Sequence, residues 1–587
     1  MSRERKRTGK ALRCTAALCC ALLLLPGGEA LAQPLGPVRG ATAVPLAGDV
    51  SEIQFSLPGG VYSLRHLTVQ VSAPAGYRIA CTTDGSTPTA ADDCGTGDVL
   101  VHLKKEETGY LISHRDQLFC PLDRALPRED GELPRGTVLR VALLDERGRV
   151  AAEDARIYFI GEDFARRYPG CLVLSVWTRP ENLLSAERGL LNPGHIYEDW
   201  AKSSEGRKAI RNKEWWLYES NATQRGREWE RPCRLSIYNG EKEPAVELDA
   251  GIRINGRAAR RLSQKSFALY FREEYGERLL EWPLFEGTEC YRSFILQAGG
   301  ENAEGWKIRD CLVQSLADGR AVTVAHSRPA VLFLNGEYWG PYMLREKVSG
   351  QFLQERYGIP SNQAVIMKNG GLEAGNEADL DLYRTLETFA EMDLGKEENY
   401  RAFCECVDIR SFAEVSAFRI YVGDEDWSWG INDILWRARI GTPEQQKWHW
   451  MFHDMDCICA IYDSKVTTGA AKDHFKLAME KYPLFASALR SEEFRELFFS
   501  CLKETAWELC APERVEQTME EWETTWATLL PDYYRRYNCS TRAWEREKRK
   551  TLAFFQLRES LLLPAVAQDL RELEQPPRPG ENSILPE

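Results

Sequence analysis

The 587-residue chain lacks a surplus of positive charge: 75 Lys and Arg stand against 88 Asp and Glu, a net of −13. Nucleic-acid binders neutralise phosphates with basic surface, so this balance argues against such a partner. Histidine is scarce, at eight residues, and the eight do not cluster at metal-ligand spacings. There is no GxxxxGKS or GxxxxGKT phosphate loop, no HExxH zinc pair and no GxSxG nucleophile elbow, which sets aside the enzyme classes built on those devices. No internal repeat occurs. No run of about 20 apolar residues occurs either, so a membrane span is not expected. What the chain does have is 43% hydrophobic and 10% aromatic residues, enough for large cores and too much for wholesale disorder.

The first segment accounts for the odd cysteine count. Arg3, Arg5, Lys6, Arg7, Lys10 and Arg13 precede an apolar run from Ala16 to Leu25, and Ala30-Leu31-Ala32 supplies small residues where a signal peptidase reads. Residues 1–32 therefore read as a secretory signal, placing the mature chain outside the cytoplasm. Its removal lowers the 17 cysteines to 14 and moves the net charge to −17. An exported chain permits disulfides, and Cys81 and Cys94 could bridge. Cys404/Cys406 and Cys457/Cys459 are each separated by one residue, a poor spacing for zinc.

Residues 33–48 read as a Pro/Gly/Ala-rich linker. From 49 to 161 short alternating runs are split by Gly, Asp and Pro, the texture of an all-β sandwich. Residues 162–465 read as a denser α/β region. Residues 466–575 read as helices, with Phe494, Leu497, Phe498 and Leu502 among the apolar residues at helical spacing. Residues 576–587 read as a loose, Pro-rich tail.

Four segments carry chemistry. In Gln264–Phe271, strand alternation puts Lys265 on the face of Phe267, Leu269 and Phe271. An ammonium on an apolar face needs a carboxylate or an anionic ligand, unless it lies at the strand end and reaches water. Ala330–Gly340 contains Asn335-Gly336 between apolar runs, a two-residue hairpin signal, and Glu346 on its second strand is a candidate partner for Lys265. Asp424–Asp433 gathers acids, Gly430 and Asn432 in one loop, suited to orienting a hydroxyl and a divalent ion, although such residues also favour plain turns. In Trp448–Asp456, a continuous strand would put Trp448, Trp450, Phe452, Asp454 and Asp456 on one face, with the two carboxylates roughly 7 Å apart. Such a pair calls for a cation between them, and Mg²⁺ takes one or two carboxylates plus phosphates and water.

Together these segments resemble the CotH kinase-like family. The resemblance is carried by Arg225–Pro232, Gly251–Gly256, Gln264-Lys265-Ser266, Ile308-Arg309-Asp310, Arg328–Gly340, Asp426-Trp427 with Asn432, and Asp454-Met455-Asp456, between about Cys171 and Asp463. Gly76–Thr89, ending in Asp-Gly-Ser-Thr-Pro-Thr, resembles the chitobiase/β-hexosaminidase C-terminal-type domain, an immunoglobulin-like accessory module. The resemblances imply a multidomain chain: an N-terminal all-β immunoglobulin-like sandwich, then an α+β atypical protein-kinase-like domain with a helical C-terminal region. The implied activity is transfer of the ATP γ-phosphoryl to a Ser or Thr hydroxyl of a surface or spore-coat protein. By position, Asp426 is the catalytic residue; Lys265, Glu346 and Arg253 bind the cofactor ATP; Asp454, Asn432 and Asp456 hold Mg²⁺. Arg257-Ala258-Ala259, the Asp426–Asn432 spacing and Cys457-Ile458-Cys459-Ala460 depart from the family pattern. They keep open a catalytically inactive, kinase-like binding or structural protein. A carbohydrate-active enzyme is a third reading, supported only by the N-terminal resemblance.

Overall fold

The computed structural model describes residues 53–574 except 107–108, 124, 301–305 and 538–539. The expected signal, linker and tail lie outside those residues.

The N-terminal region is β-rich. β1 (Gln54–Phe55), β3 (His66–Ser72) and β6 (Asp98–Lys104) form one sheet. β2 (Gly60–Tyr62), β8 (Val150–Ile160), β7 (Thr137–Leu144), β4 (Arg78–Thr82) and β5 (Asp93–Thr96) form the other. Alternate residues of both sheets, such as Val69, Val71, Ile79 and Val141, meet in one core, as period-2 patterning requires.

A seven-stranded closed barrel follows, in the order β10 (Arg231–Tyr238), β11 (Val246–Asn255), β12 (Ser266–Tyr270), β15 (Ser293–Gln297), β17 (Glu337–Glu346), β16 (Ser327–Leu334), β9 (Leu172–Trp177). All neighbours are antiparallel except β16 and β9. Leu174, Leu235, Ile252, Phe267, Leu332 and Leu344 belong to the core inside it. Residues one position away, such as Val173, Val331 and Met343, join the larger core shared with the helices. A hairpin of β13 (Leu280–Phe285) and β14 (Thr288–Tyr291) flanks the barrel. The expected Asn335-Gly336 turn connects β16 to β17, with φ of 48° and 80°, the left-handed pair such a turn demands.

Beyond the barrel lies a second, four-stranded sheet ordered β19 (Gly371–Ala374), β18 (Ala364–Lys368), β20 (Ile434–Ala438), β21 (His449–Met451). The helices that follow β15 include α1 (Arg309–Leu316), α2 (Gly350–Tyr357), α3 (Asp379–Glu391), α4 (Glu397–Cys406) and α5 (Ile409–Val422), followed by the C-terminal series. That series includes α6 (His474–Lys481), α7 (Pro483–Ala488), α8 (Glu492–Glu504), α9 (Pro512–Tyr537) and α10 (Thr541–Leu573). Their ends follow local chemistry. Asp408 and Ser491 accept the N-terminal amides of α5 and α8, and Gly423 ends α5 in the left-handed conformation. No helix among the described residues is long and apolar enough to cross a membrane.

Candidate functional site

Two segments bring carboxylates together beside the barrel. The first is the loop 424–433, between α5 and β20; the second is the turn 453–456 after β21. They are joined by Arg419, on α5, whose side chain is 1% exposed. One nitrogen pairs with Asp424, and another donates to the carbonyls of Asn432 (2.8 Å) and His453 (3.0 Å). The guanidinium also lies over the Trp427 and Phe452 rings. Asp424 in turn accepts the Asp426 amide at 3.0 Å. A buried charge tolerates burial only when paired and bonded in this way, so one arginine fixes the loop that carries Asp426 against the turn that carries Asp454.

The expected strand through Asp456 is shorter than its pattern suggests. β21 ends at Met451, and Asp454 takes φ of 56°. Asp454 and Asp456 therefore do not leave one strand face. The sheet gives way because Arg419 captures the His453 carbonyl and the Met455 amide donates to Asp310 (3.1 Å). Asn432 is left-handed too, with φ of 51°. Such conformations cost roughly 1–3 kcal/mol each and persist where surroundings impose them. Asp456 packs under Gly300, where a Cβ would collide with its Oδ2. Gly300 itself has φ of 53°, so glycine is required there twice over.

Burial pushes the Asp454 carboxyl up to about 6; Asp310 and Asp426 push the same way, and Arg345 and Lys368 oppose them. These are the charges that face it. Asp310, on α1 and 4% exposed, pairs with Arg345 and accepts Gln314 Nε2 at 2.6 Å. Lys368 ends β18; burial lowers its pKa, as do Lys347 and Arg345, while Glu373 and Asp454 oppose. Neither the Asp426 nor the Asp454 carboxylate, nor the Lys368 ammonium, bonds a described side chain or backbone group. Next to Asp426, Asp433 is pushed up to about 6 by burial, eased by the Tyr482 hydroxyl at 2.8 Å. Glu425, despite burial, is held at about 2 by His474 and Lys472.

Lys265 and Glu346 lie elsewhere. Lys265 does share the apolar face of Phe267 and Leu269, as alternation indicated, and it is 2% exposed rather than reaching water. Its Nζ donates to the carbonyls of Arg260 (3.1 Å) and Leu262 (3.0 Å), and its charge faces Asp123. The expected Lys265–Glu346 pair is not formed. Tyr342 Oη donates to the Lys265 carbonyl at 3.0 Å, and Glu346 is four residues further along β17, roughly 13 Å away. Glu346 instead pairs with Arg356 (2.9 Å) and accepts the His326 amide (2.8 Å). Arg253 covers the Tyr270 ring, which Lys347 also faces, and donates to the Gly226 carbonyl at 3.0 Å. Thus Asp426, Asn432 and Asp454 converge, Asp456 adjoins them, and Lys265 and Glu346 do not join them. Sequence reasoning gave no role to Lys368, Arg345 or Arg419, and Asp310 figured only within the resembling segment Ile308-Arg309-Asp310. Lys368 had a signal, a cation closing an apolar run before Asn369-Gly370.

The carboxylates present oxygen donors, the chemistry hard cations prefer. Among the described residues no three His, Cys, Asp or Glu side chains group tightly enough to hold a metal ion by themselves. A family model described as CotH kinase protein matches residues 252–562, more than half of the chain. The chain belongs to the CotH kinase protein family. The match opens within β11 and runs deep into α10, so the C-terminal helices are part of the family unit. No curated protein matches the chain.

Proposed function

We propose that this CotH kinase protein is an exported, atypical protein kinase. It transfers the ATP γ-phosphoryl to a Ser or Thr hydroxyl of a surface or spore-coat protein. The observation that supports the reading is that Asp454 feels the charges of Asp426, Lys368 and Arg345, on a turn that Arg419 ties to the loop carrying Asp426. Phosphoryl transfer needs alignment and charge neutralisation more than covalent chemistry. Asp426, free of hydrogen bonds from described residues, is placed to accept the proton of the acceptor hydroxyl. Asp454, with Asn432 and Asp456 beside it, would hold Mg²⁺, which when bound neutralises charge on the phosphates. Lys368 takes the phosphate-binding role that the family resemblance implied for Lys265, and Arg253 would line the approach. The N-terminal β region is read as an immunoglobulin-like spacer of the chitobiase C-terminal type. The basic and apolar run before Ala32 supports export, and the net acidity of the chain suits a basic acceptor.

Incubating the purified protein with γ-labelled ATP and Mg²⁺ should label the protein itself or an added basic coat protein. Asp454→Ala and Asp426→Asn should each lower labelling at least 100-fold while the thermal midpoint stays within a few degrees. Equal labelling by wild type and Asp454→Ala would remove the assigned site. A nucleotide-dependent rise in midpoint without any transfer would select the binding-protein reading.

A further inference from the structure

A strand at the end of a sheet exposes unpaired amides and carbonyls, and proteins usually shorten, kink or cover it. The sheet ends in this protein follow that rule with one exception. β1, β2, β5, β19 and β21 have two to four residues, and β13 of the flanking hairpin carries Pro283. β6 instead ends its sheet beyond β3 and runs seven residues, Asp98–Lys104, without proline and in unbroken register with β3. On its other side no backbone group of 98–104 bonds a described backbone group. The one described side chain that reaches this backbone is Thr137, whose Oγ1 donates to the last carbonyl, Lys104, at 2.7 Å. β1, where the described sheet begins, lies on the far side of β3 from this edge.

The side chains of β6 say what the edge fits. Val99, Val101 and Leu103 pack on the sandwich core. Asp98, Leu100, His102 and Lys104 form an exposed outer row, with Leu100 62% exposed. Asp98 and Lys104 stand at opposite ends of that row, and neither has an ion pair with a described residue. The neighbouring strand sets no carboxylate or ammonium against them, since His66, Thr68, Gln70 and Ser72 are its residues opposite the row. Laid antiparallel to itself about Val101, β6 meets its own sequence with Asp98 opposite Lys104 at both ends, two matched charge pairs. Leu100 falls opposite His102, whose ring is already held by Thr68 Oγ1 at 2.9 Å. Each residue faces one of the same parity, so outward backbone groups meet outward backbone groups. Sliding one strand by two residues loses both charge pairs, which fixes the register.

We propose that β6 is a self-association edge: two copies of the chain pair through it, antiparallel about a twofold axis at Val101, and join their three-stranded sheets into one of six strands. A twofold contact uses the same edge on both copies, so assembly stops at the dimer. One strand pair buries less than a standard interface, so the dimer forms in the micromolar rather than the nanomolar range. The contact is independent of the phosphotransfer reading.

Sedimentation velocity of the purified full chain over a concentration series tests this. Wild type should pass from monomer to dimer as concentration rises, and no further. Asp98→Lys and Lys104→Asp each set like charges opposite one another at both ends, and each should weaken self-association about tenfold. Mixed in equal amounts, the two variants offer one strand with two cations and one with two carboxylates, and the dimer should return as the mixed species. Both positions are exposed, so the thermal midpoint of each variant should stay at the wild-type value. On wild type alone, hydrogen exchange in peptides covering 98–104 should slow at dimer-forming concentrations. A wild type that stays monomeric overturns the proposal, as does a dimer indifferent to both variants. Failure of the mixture to pair, or protection confined to other segments, overturns it equally.

Discussion

Lys368 and Lys265 are both desolvated lysines, and they differ in what surrounds the ammonium. Lys265 is satisfied by two carbonyls and by Asp123; Lys368 has none of these and stands opposite Asp454. Lys368→Met should therefore weaken Mg²⁺-nucleotide binding by roughly 10- to 100-fold, the value of a charge-assisted contact to phosphate, and leave the unliganded midpoint unchanged or raised. Lys265→Met should do the reverse. It removes the cation facing Asp123 and leaves two carbonyls without their donor, at a cost of about 1–3 kcal/mol, while the affinity of the folded fraction persists. Titrating both variants with nucleotide in a thermal-shift assay separates the roles. Strand alternation was enough to place Lys265 on the apolar side. Its partner was not legible, because Asp123 lies far away in sequence, between β6 and β7 of the N-terminal region. Lys368 was legible as a cation ending a strand, and its importance depended on a neighbour, Asp454, brought in by a different sheet strand.

At the scale of elements, the loop 424–433 and the turn 453–456 act as one unit because Arg419 holds both. Arg419→Met leaves Asp424 buried without its cation, a loss of about 3–5 kcal/mol, and frees the loop from the turn. The expected result is a fall in labelling activity larger than the fall in folded fraction, measured on the same sample by activity and circular dichroism. Asp433 gives a pH test. Its folded pKa of about 6 lies above the roughly 3.9 of an unfolded aspartate. The native state thus holds this proton more tightly, and the stabilisation present below pH 4 is lost as pH rises through about 6. Asp433→Asn, which keeps an acceptor for Tyr482, should gain in midpoint relative to wild type between pH 4 and 7; a constant difference would contradict the assignment. The loop itself was legible from its Asp, Asn and Gly content. The bend at Asp454 was not, since the alternation of Trp448, Trp450 and Phe452 continues smoothly into Asp454, and it is broken by partners remote in sequence, Arg419 at the His453 carbonyl and Asp310 at the Met455 amide.

For the molecule as a whole, the N-terminal β region is fastened to the barrel at its hairpin. Glu337, next to the Asn335-Gly336 turn, accepts the amides of Leu111 and Ile112 and faces Arg536 of α9. The Gly136 amide donates to the Gly336 carbonyl at 2.7 Å. Glu337→Ala should speed limited proteolysis between the two regions before either unfolds. Within the β region, Cys81 and Cys94 lie on paired strands with sulfurs in contact. Oxidative refolding should join them, read as a loss of two mass units in the peptide spanning both and reversed by thiol reductant.

The barrel also separates what can be recognised from what can stand alone. Its ring closes only because β9 sits between β10 and β16, and both β9 and β10 precede the matched span that opens at residue 252. A fragment trimmed to that span would inherit five of the ring's strands with β11 and β16 left as raw edges, open to pairing with any neighbour. Expression of such a fragment should give aggregates, and restoring the chain from Leu172 onward should cure it. The span that marks kinship is therefore shorter than the span that must be inherited together for the ring to exist.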